Sequence, residues 1–82
     1  MNYQIEFKPR ALKDLKALPV MEYRRIVAKA EALQEDLAGD VKKLTNFTPE
    51  YRLRVGNYRV LFEVQGSTVV IYRVRHRKDA YK

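Results

Sequence analysis

Apolar and polar residues alternate from Asn2 to Lys8, with Tyr3, Ile5 and Phe7 on one side and Asn2, Gln4, Glu6 and Lys8 on the other. That two-residue period predicts a half-buried strand. Pro9 ends it and suits a first helical turn. Leu12, Leu15 and Leu18 then recur at helical spacing, predicting a short helix over 9–18 that Pro19 breaks. From Val20 the apolar positions become Tyr23, Ile26, Val27, Ala30, Leu33 and Leu37, a stripe with charges on the opposite face. A second helix is therefore expected from 20 to about 38, with Gly39 as the residue that follows its C-cap. The stripe reads as core, because a sheet in so small a chain needs a helix to cover it.

Asp40–Glu50 reads as a connecting loop, with "NFTPE" as its turn-rich end and Lys42 and Lys43 as solvated residues. Three alternating segments follow at 51–55, 58–65 and 68–75, joined by Gly56-Asn57 and Gly66-Ser67, two-residue turns of the type II′ kind. The expectation is one α+β domain over 1–82: an N-terminal strand, two helices and a three-stranded antiparallel meander, with the helices packed on one face of the sheet.

A two-residue turn fixes register, so Val55 should face Tyr58, Arg54 face Arg59, Leu53 face Val60 and Arg52 face Leu61. Tyr51, Leu53, Val55, Tyr58, Val60, Phe62 and Val64 then go to the helix-covered side. Arg52, Arg54 and Arg59 go together to the open side, although like charges directly opposed across strands are unfavourable by roughly 0.2–1 kcal/mol. A pairing rule broken without a folding gain marks a functional candidate. Guanidinium groups bind phosphate bidentately and stay charged, so an anion is the expected partner. The competing reading is a solvated sheet face with no ligand.

Continued through Gly66-Ser67, the register pairs Phe62 with Ile71 and Leu61 with Tyr72. This puts Tyr72, Val74 and His76 on the arginine face and turns Arg73 and Arg75 toward the core. Two arginines in a core conflict with burial preferences. A bulge, snorkelling at the sheet rim or an early strand end would each resolve the conflict.

Composition sharpens the picture. The formal net charge is +7 over 82 residues. Residues 1–50 hold nine Lys/Arg against eight Asp/Glu, whereas 51–82 hold eight against two. A basic excess concentrated in the segment that carries the arginine face points to nucleic acid or an acidic protein as partner. With no cysteine and one histidine, disulfides, thiolate metal sites and a cysteine nucleophile are excluded, and neither metal nor cofactor is expected. No apolar run approaches the roughly 18 residues of a membrane span, and "MNYQIEFKPR" lacks a signal-peptide apolar region. A cytoplasmic protein with no membrane partner is the expectation.

"YRLRVGNYRVLFEV", followed by a short strand and "HRKDAY", resembles the RelE/ParE superfamily of bacterial toxin–antitoxin toxins, and "IEFKPRALKDLKALP" is similar to its usual first strand and helix. The resemblance covers nearly the whole chain. It implies a toxin silenced by a cognate antitoxin. In the RelE-like branch such a toxin enters the ribosomal A site and cuts mRNA there, without a metal, by attack of a 2′-hydroxyl on the adjacent phosphate. By motif, Arg52 and Arg54 fall on two basic positions where the bacterial type member has lysines, and Arg59 on the arginine after the hairpin Gly-x-Tyr. His76 and Arg77 fall where the family places a catalytic histidine or arginine, and Tyr81 on its terminal tyrosine. The implied roles are phosphate charge stabilisation for Arg52 and Arg59, proton transfer for His76 or Arg77, and base stacking or sugar orientation for Tyr81. Arginine is a poor base at neutral pH, which favours His76 over Arg52 or Arg54 for proton transfer. On the same fold the ParE-like branch implies a non-catalytic inhibitor of DNA gyrase. A plain RNA-binding module would explain the charge but not the tail.

Overall fold

The computed structural model describes residues 2–81. The chain runs β1 (Gln4–Phe7), α1 (Pro9–Lys16), α2 (Val20–Glu31), a 3₁₀ turn (Ala32–Gln34), β2 (Val41–Lys43), β3 (Tyr51–Val55), β4 (Tyr58–Gln65) and β5 (Thr68–His76). The α+β class holds, with a sheet of five strands in the order β1-β5-β4-β3-β2. The meander β3-β4-β5 is antiparallel, as expected. β1 joins it in parallel beside β5, so the first strand closes one edge of the sheet.

Two elements differ from the sequence expectation by more than a residue or two at an end. β2 lies inside the segment read as a loop, pairing antiparallel with β3 through Val41↔Leu53, Lys42↔Arg52 and Lys43↔Tyr51. Three residues, two of them lysines, carry no period of their own, and only pairing with β3 makes them a strand. The second helix ends at Glu31 rather than near 38, and Asp36 and Leu37 take left-handed backbone angles (φ 53° and 59°). The apolar stripe nonetheless continues, because Leu33 is fully buried and Leu37 packs against the core after the helix has ended. The backbone turns there because Tyr3 N–H donates to Gln34 O at 3.0 Å, tying the end of the helical segment to the first strand.

One face of the sheet is covered by the helices. Ala11 and Leu15 of α1, Ile26 and Ala30 of α2, and Leu33 meet Leu53, Val55, Val60, Phe62, Val69, Ile71 and Val74. Tyr51 stacks on Phe62 at 5.4 Å between ring centroids. Both hairpin turns place the first central residue at positive φ, 58° at Gly56 and 61° at Gly66, with an L-residue of ordinary φ second, the type II′ pattern. Gly56 is favoured by its positive φ, whereas a Cβ there would meet only the guanidinium at the mobile end of Arg25.

The β4–β5 ladder contains the decisive irregularity. Gln65↔Thr68, Val64↔Val69, Glu63↔Val70 and Phe62↔Ile71 follow the predicted register, but the next pair is Leu61↔Arg73. Tyr72 is the extra residue of a β-bulge. Beyond it Val60 faces Val74, Arg59 faces Arg75 and Tyr58 faces His76. The expectation that Val74 and His76 share the arginine face, with Arg73 and Arg75 turned to the core, is thereby overturned. The bulge sends Val74 into the core and brings the two arginines out, which resolves the burial conflict without placing a charge inside. Among the described residues no polar or charged side chain is fully buried.

Candidate nucleic-acid interface

The hairpin register holds as read: Arg54 is opposite Arg59 and Arg52 opposite Leu61. Because the bulge sets Arg75 opposite Arg59, Arg54, Arg59 and Arg75 form a row across β3, β4 and β5, about 5 Å per step at the backbone. Arg75 is the residue that the uninterrupted register missed. A signal for it existed in the sequence: Ile71 and Val74 are both strongly apolar yet three residues apart, an odd spacing that one strand face cannot hold without a bulge.

Two of the arginines already have an anion. Asp40, just before β2, offers Oδ1 to Arg52 Nη1 at 3.1 Å and Oδ2 to Arg54 Nε at 2.7 Å. The hydrogen bond from Arg52, with the neighbouring Arg54 charge, holds the Asp40 carboxyl below the usual carboxylate range. Arg59 instead curls over its own turn, its Nη1 donating to Gly56 O and Tyr58 O, both at 3.0 Å. Among the described residues no carboxylate pairs with Arg59 or Arg75. The row therefore presents two cations without a counter-charge beside a fork that carries one.

Arg73, one alternation further along β5, is committed elsewhere. Its Nε and Nη2 donate to Asp14 of α1 at 2.8 and 3.2 Å, and Val74 N–H donates to the same carboxylate at 2.9 Å. Partial burial pushes Asp14 up, but these bonds and the charges of Arg73 and Arg10 outweigh it and leave its pKa lowered.

The remaining predicted site residues divide. His76 lies on the helix side of β5, opposite Tyr58, with the two rings edge to face at 5.5 Å. Its Nδ1 accepts the Lys78 N–H at 3.2 Å and its carbonyl accepts the Asp79 N–H at 2.8 Å, so it organises the turn that follows the strand. The grouping of His76 with Arg59 on one face is corrected by this register. Arg77 is exposed and its N–H donates to Asn57 O at 2.7 Å, which ties the start of the tail to the hairpin turn. Tyr81 is half exposed, and its ring meets Phe47 of the β2–β3 connection edge to face at 5.4 Å. Ala80, only 1% exposed, anchors the tail. Leu61, Val70 and Ala80 are buried outside the helix-side core, so the second face of the sheet is solvated at its arginine end and covered elsewhere.

On that face Lys8, Pro9, Arg10, Thr48, Pro49, Glu63, Tyr72 and Arg73 line an open cavity of about 690 Å³. No group of three or more His, Asp or Glu side chains converges as a metal site among the described residues, and no helix is long and apolar enough to cross a membrane. The face offers fixed positive charge in a defined geometry, which suits a phosphate backbone or the charge that develops on a phosphate during transfer.

Residues 5–81 match the family described as the ParE toxin of type II toxin–antitoxin systems, parDE. The chain belongs to this family, and it is a toxin of the RelBE/ParE type. It is 40% identical to toxin RelE3 of Methanocaldococcus jannaschii over 95% of this chain and 94% of that one. Toxin RelG of Mycobacterium tuberculosis is 31% identical over 100% and 99% of the two chains. Among solved structures, the RelB–RelE antitoxin–toxin complex from Methanococcus jannaschii contains a chain 39% identical, with a TM-score of 0.76 over 93% of this chain and 94% of that chain. The RelBE2 complex of Mycobacterium tuberculosis reaches a TM-score of 0.82 at 30% identity, over 94% of this chain and 100% of that one.

Proposed function

We propose that this toxin is a ribosome-dependent mRNA endoribonuclease that inhibits translation and is restrained by a cognate antitoxin. The observation that carries the reading is the row Arg54–Arg59–Arg75 with Arg52 beside it, rigid on a sheet and aimed away from the core. In-line attack of a 2′-hydroxyl on its neighbouring phosphate concentrates negative charge on the non-bridging oxygens and on the leaving 5′ oxygen. Arg59 and Arg75 stabilise the first, and the Arg52–Arg54 fork holds a flanking phosphate. In this reading Arg77, exposed at the start of the tail, offsets charge on the leaving group, and the half-exposed Tyr81 ring stacks on a base. His76 supports the tail rather than the chemistry. No side chain of the arginine row can take a proton, so as the 2′-oxygen bonds to phosphorus and the P–O5′ bond breaks, the 2′-hydroxyl proton passes to water and the leaving 5′ oxygen takes one from water. Alignment of the 2′-hydroxyl falls to the ribosome-held mRNA, and alignment of that kind contributes roughly 7–11 kcal/mol in favourable cases.

The names of the relatives support this reading: one is named toxin RelE3 and another putative toxin RelE1, and solved neighbours are complexes of RelE with RelB. An antitoxin partner fits the sheet as well, since β2 is a three-residue edge strand able to accept an extended segment. The second reading, a gyrase inhibitor, rests on the ParE description of the matching family. The ParDE system of Pseudomonas aeruginosa, at 18% identity, shares the fold alone.

One induction experiment separates the two. Expression without antitoxin should yield new mRNA 5′ ends at defined positions within codons, confined to translated regions, while purified naked RNA stays largely intact. Intact mRNA together with gyrase trapped on broken DNA would refute the ribonuclease reading and leave the arginine face as a protein-docking surface.

A further inference from the structure

The carboxylate on the arginine fork is not a surface acid that happens to lie nearby. Gly39, at φ 124°, presses the preceding backbone against β3 so closely that a Cβ would stand 2.8 Å from Leu53 Cδ1. Asp40 O then accepts Arg52 Nη1 at 2.7 Å and Arg54 N–H at 3.0 Å. These backbone bonds fix the residue in place, and its side chain delivers one oxygen to each guanidinium, at 3.1 and 2.7 Å. Two arginines sharing the two oxygens of one anion is the geometry with which they grip a phosphate. The Arg52 side chain is 15% exposed and so held by its surroundings, whereas that of Asp40 is 46% exposed and can swing into water.

We propose that Asp40 is a built-in counter-anion of the Arg52–Arg54 fork, occupying in the free toxin the seat of an RNA phosphate and leaving by exchange when that phosphate arrives. The identity of the incoming group as RNA rests on the ribonuclease reading above; the exchange itself needs only a tetrahedral oxyanion. With the carboxylate seated the three groups sum to +1, so the fork competes weakly for the phosphates of any passing nucleic acid. A strand also engaged by Arg59 and Arg75, which have no such counter-anion among the described residues, delivers its phosphate at high local concentration and displaces the carboxylate. Asp40 thus acts as a specificity-determining residue, favouring a strand that reaches across the whole row over one that touches the fork alone. Exposed ion pairs of this kind are weak enough to exchange readily.

The test uses the whole chain, ¹⁵N-labelled, with the arginine Nε–Hε resonances followed during titration with inorganic phosphate at low salt. Asp40→Asn keeps the backbone bonds to Arg52 and Arg54 and should fold normally, which the amide spectrum checks. It should bind phosphate roughly fivefold more tightly than the wild type, the scale of a weak exposed ion pair removed as competitor. Saturation with phosphate should return the Arg54 Nε–Hε signal toward its wild-type position. Adding Arg54→Gln to Asp40→Asn should abolish the gain. Equal or weaker phosphate binding by Asp40→Asn, or a gain that survives Arg54→Gln, would overturn the proposal. Because the readout is phosphate affinity and not mRNA ends, tighter binding by Asp40→Asn together with no mRNA cleavage by the wild-type toxin in cells would uphold the exchange and refute the ribonuclease reading.

Discussion

β1 stops at Phe7 while β5 continues to His76, so the outer edge of β5 beyond Ile71 has no strand partner. Asp14 of α1 fills that place: its carboxylate accepts the Val74 N–H at 2.9 Å and two bonds from Arg73 at 2.8 and 3.2 Å. It also pins the helix to the part of β5 just past the bulge, where Arg75 emerges. Hydrogen bonds to charged groups contribute about 1.5–3 kcal/mol each, but bonds within one cluster do not add. With side chains 17% and 27% exposed, Asp14→Ala should cost about 2–3 kcal/mol, a large fraction of the 5–15 kcal/mol that holds a typical domain together. At this chain length the midpoint of thermal unfolding should fall by about 10–20 °C. Arg73→Met should cost less, since the Val74 bond survives, and the double mutant should reveal a coupling of about 1 kcal/mol or more. The pH dependence has a definite sign. A carboxyl held below its ordinary value stabilises the fold above the unfolded pKa of about 3.9, and the contribution is lost as pH falls through the folded value. Urea denaturation of wild type and Asp14→Asn should therefore show a gap at pH 7 that closes toward pH 2.5. A gap that stays constant over that range, or an Asp14→Ala protein within about 0.5 kcal/mol of wild type, would refute the assignment.

Arg59→Ala and Arg75→Ala should each slow single-turnover cleavage on programmed ribosomes by about 10²–10³-fold, the scale of one lost charge-stabilising donor, with unchanged circular dichroism; a folded variant of either that arrests growth like wild type removes that residue from the site. His76→Gln should change the cleavage rate by less than about tenfold while lowering thermal stability, because the ring packs on Tyr58 and its Nδ1 accepts a turn N–H. A His76→Gln protein as stable as wild type but without cleavage would return histidine to the chemistry.

The parts of this molecule legible in its sequence are those governed by neighbours along the chain. Gly56-Asn57 determines the turn, the turn determines which residues oppose, and so the pairing of Arg54 with Arg59 follows from local rules. What local rules miss is set by partners distant in sequence. Val41–Lys43 becomes a strand only because β3 lies beside it. α2 ends at Glu31 although its apolar stripe runs on, because Leu33 and Leu37 reach the core from a turn as well as they would from a helix. The bulge at Tyr72 is the instructive case, since strand side chains alternate with a period of two and one inserted residue exchanges the two faces for everything after it. The exchange leaves the fold class unchanged and rewrites the site: His76, the residue best suited to proton transfer, moves to the helix side, and Arg75 takes a place beside Arg59. A face with three arginines in register across its strands and no histidine can stabilise charge far better than it can move protons. Under the proposed ribonuclease reading, the catalytic demand therefore shifts from the toxin's own side chains to the geometry in which an RNA would be presented, and a dependence on the ribosome then follows more naturally from this sheet than activity on free RNA.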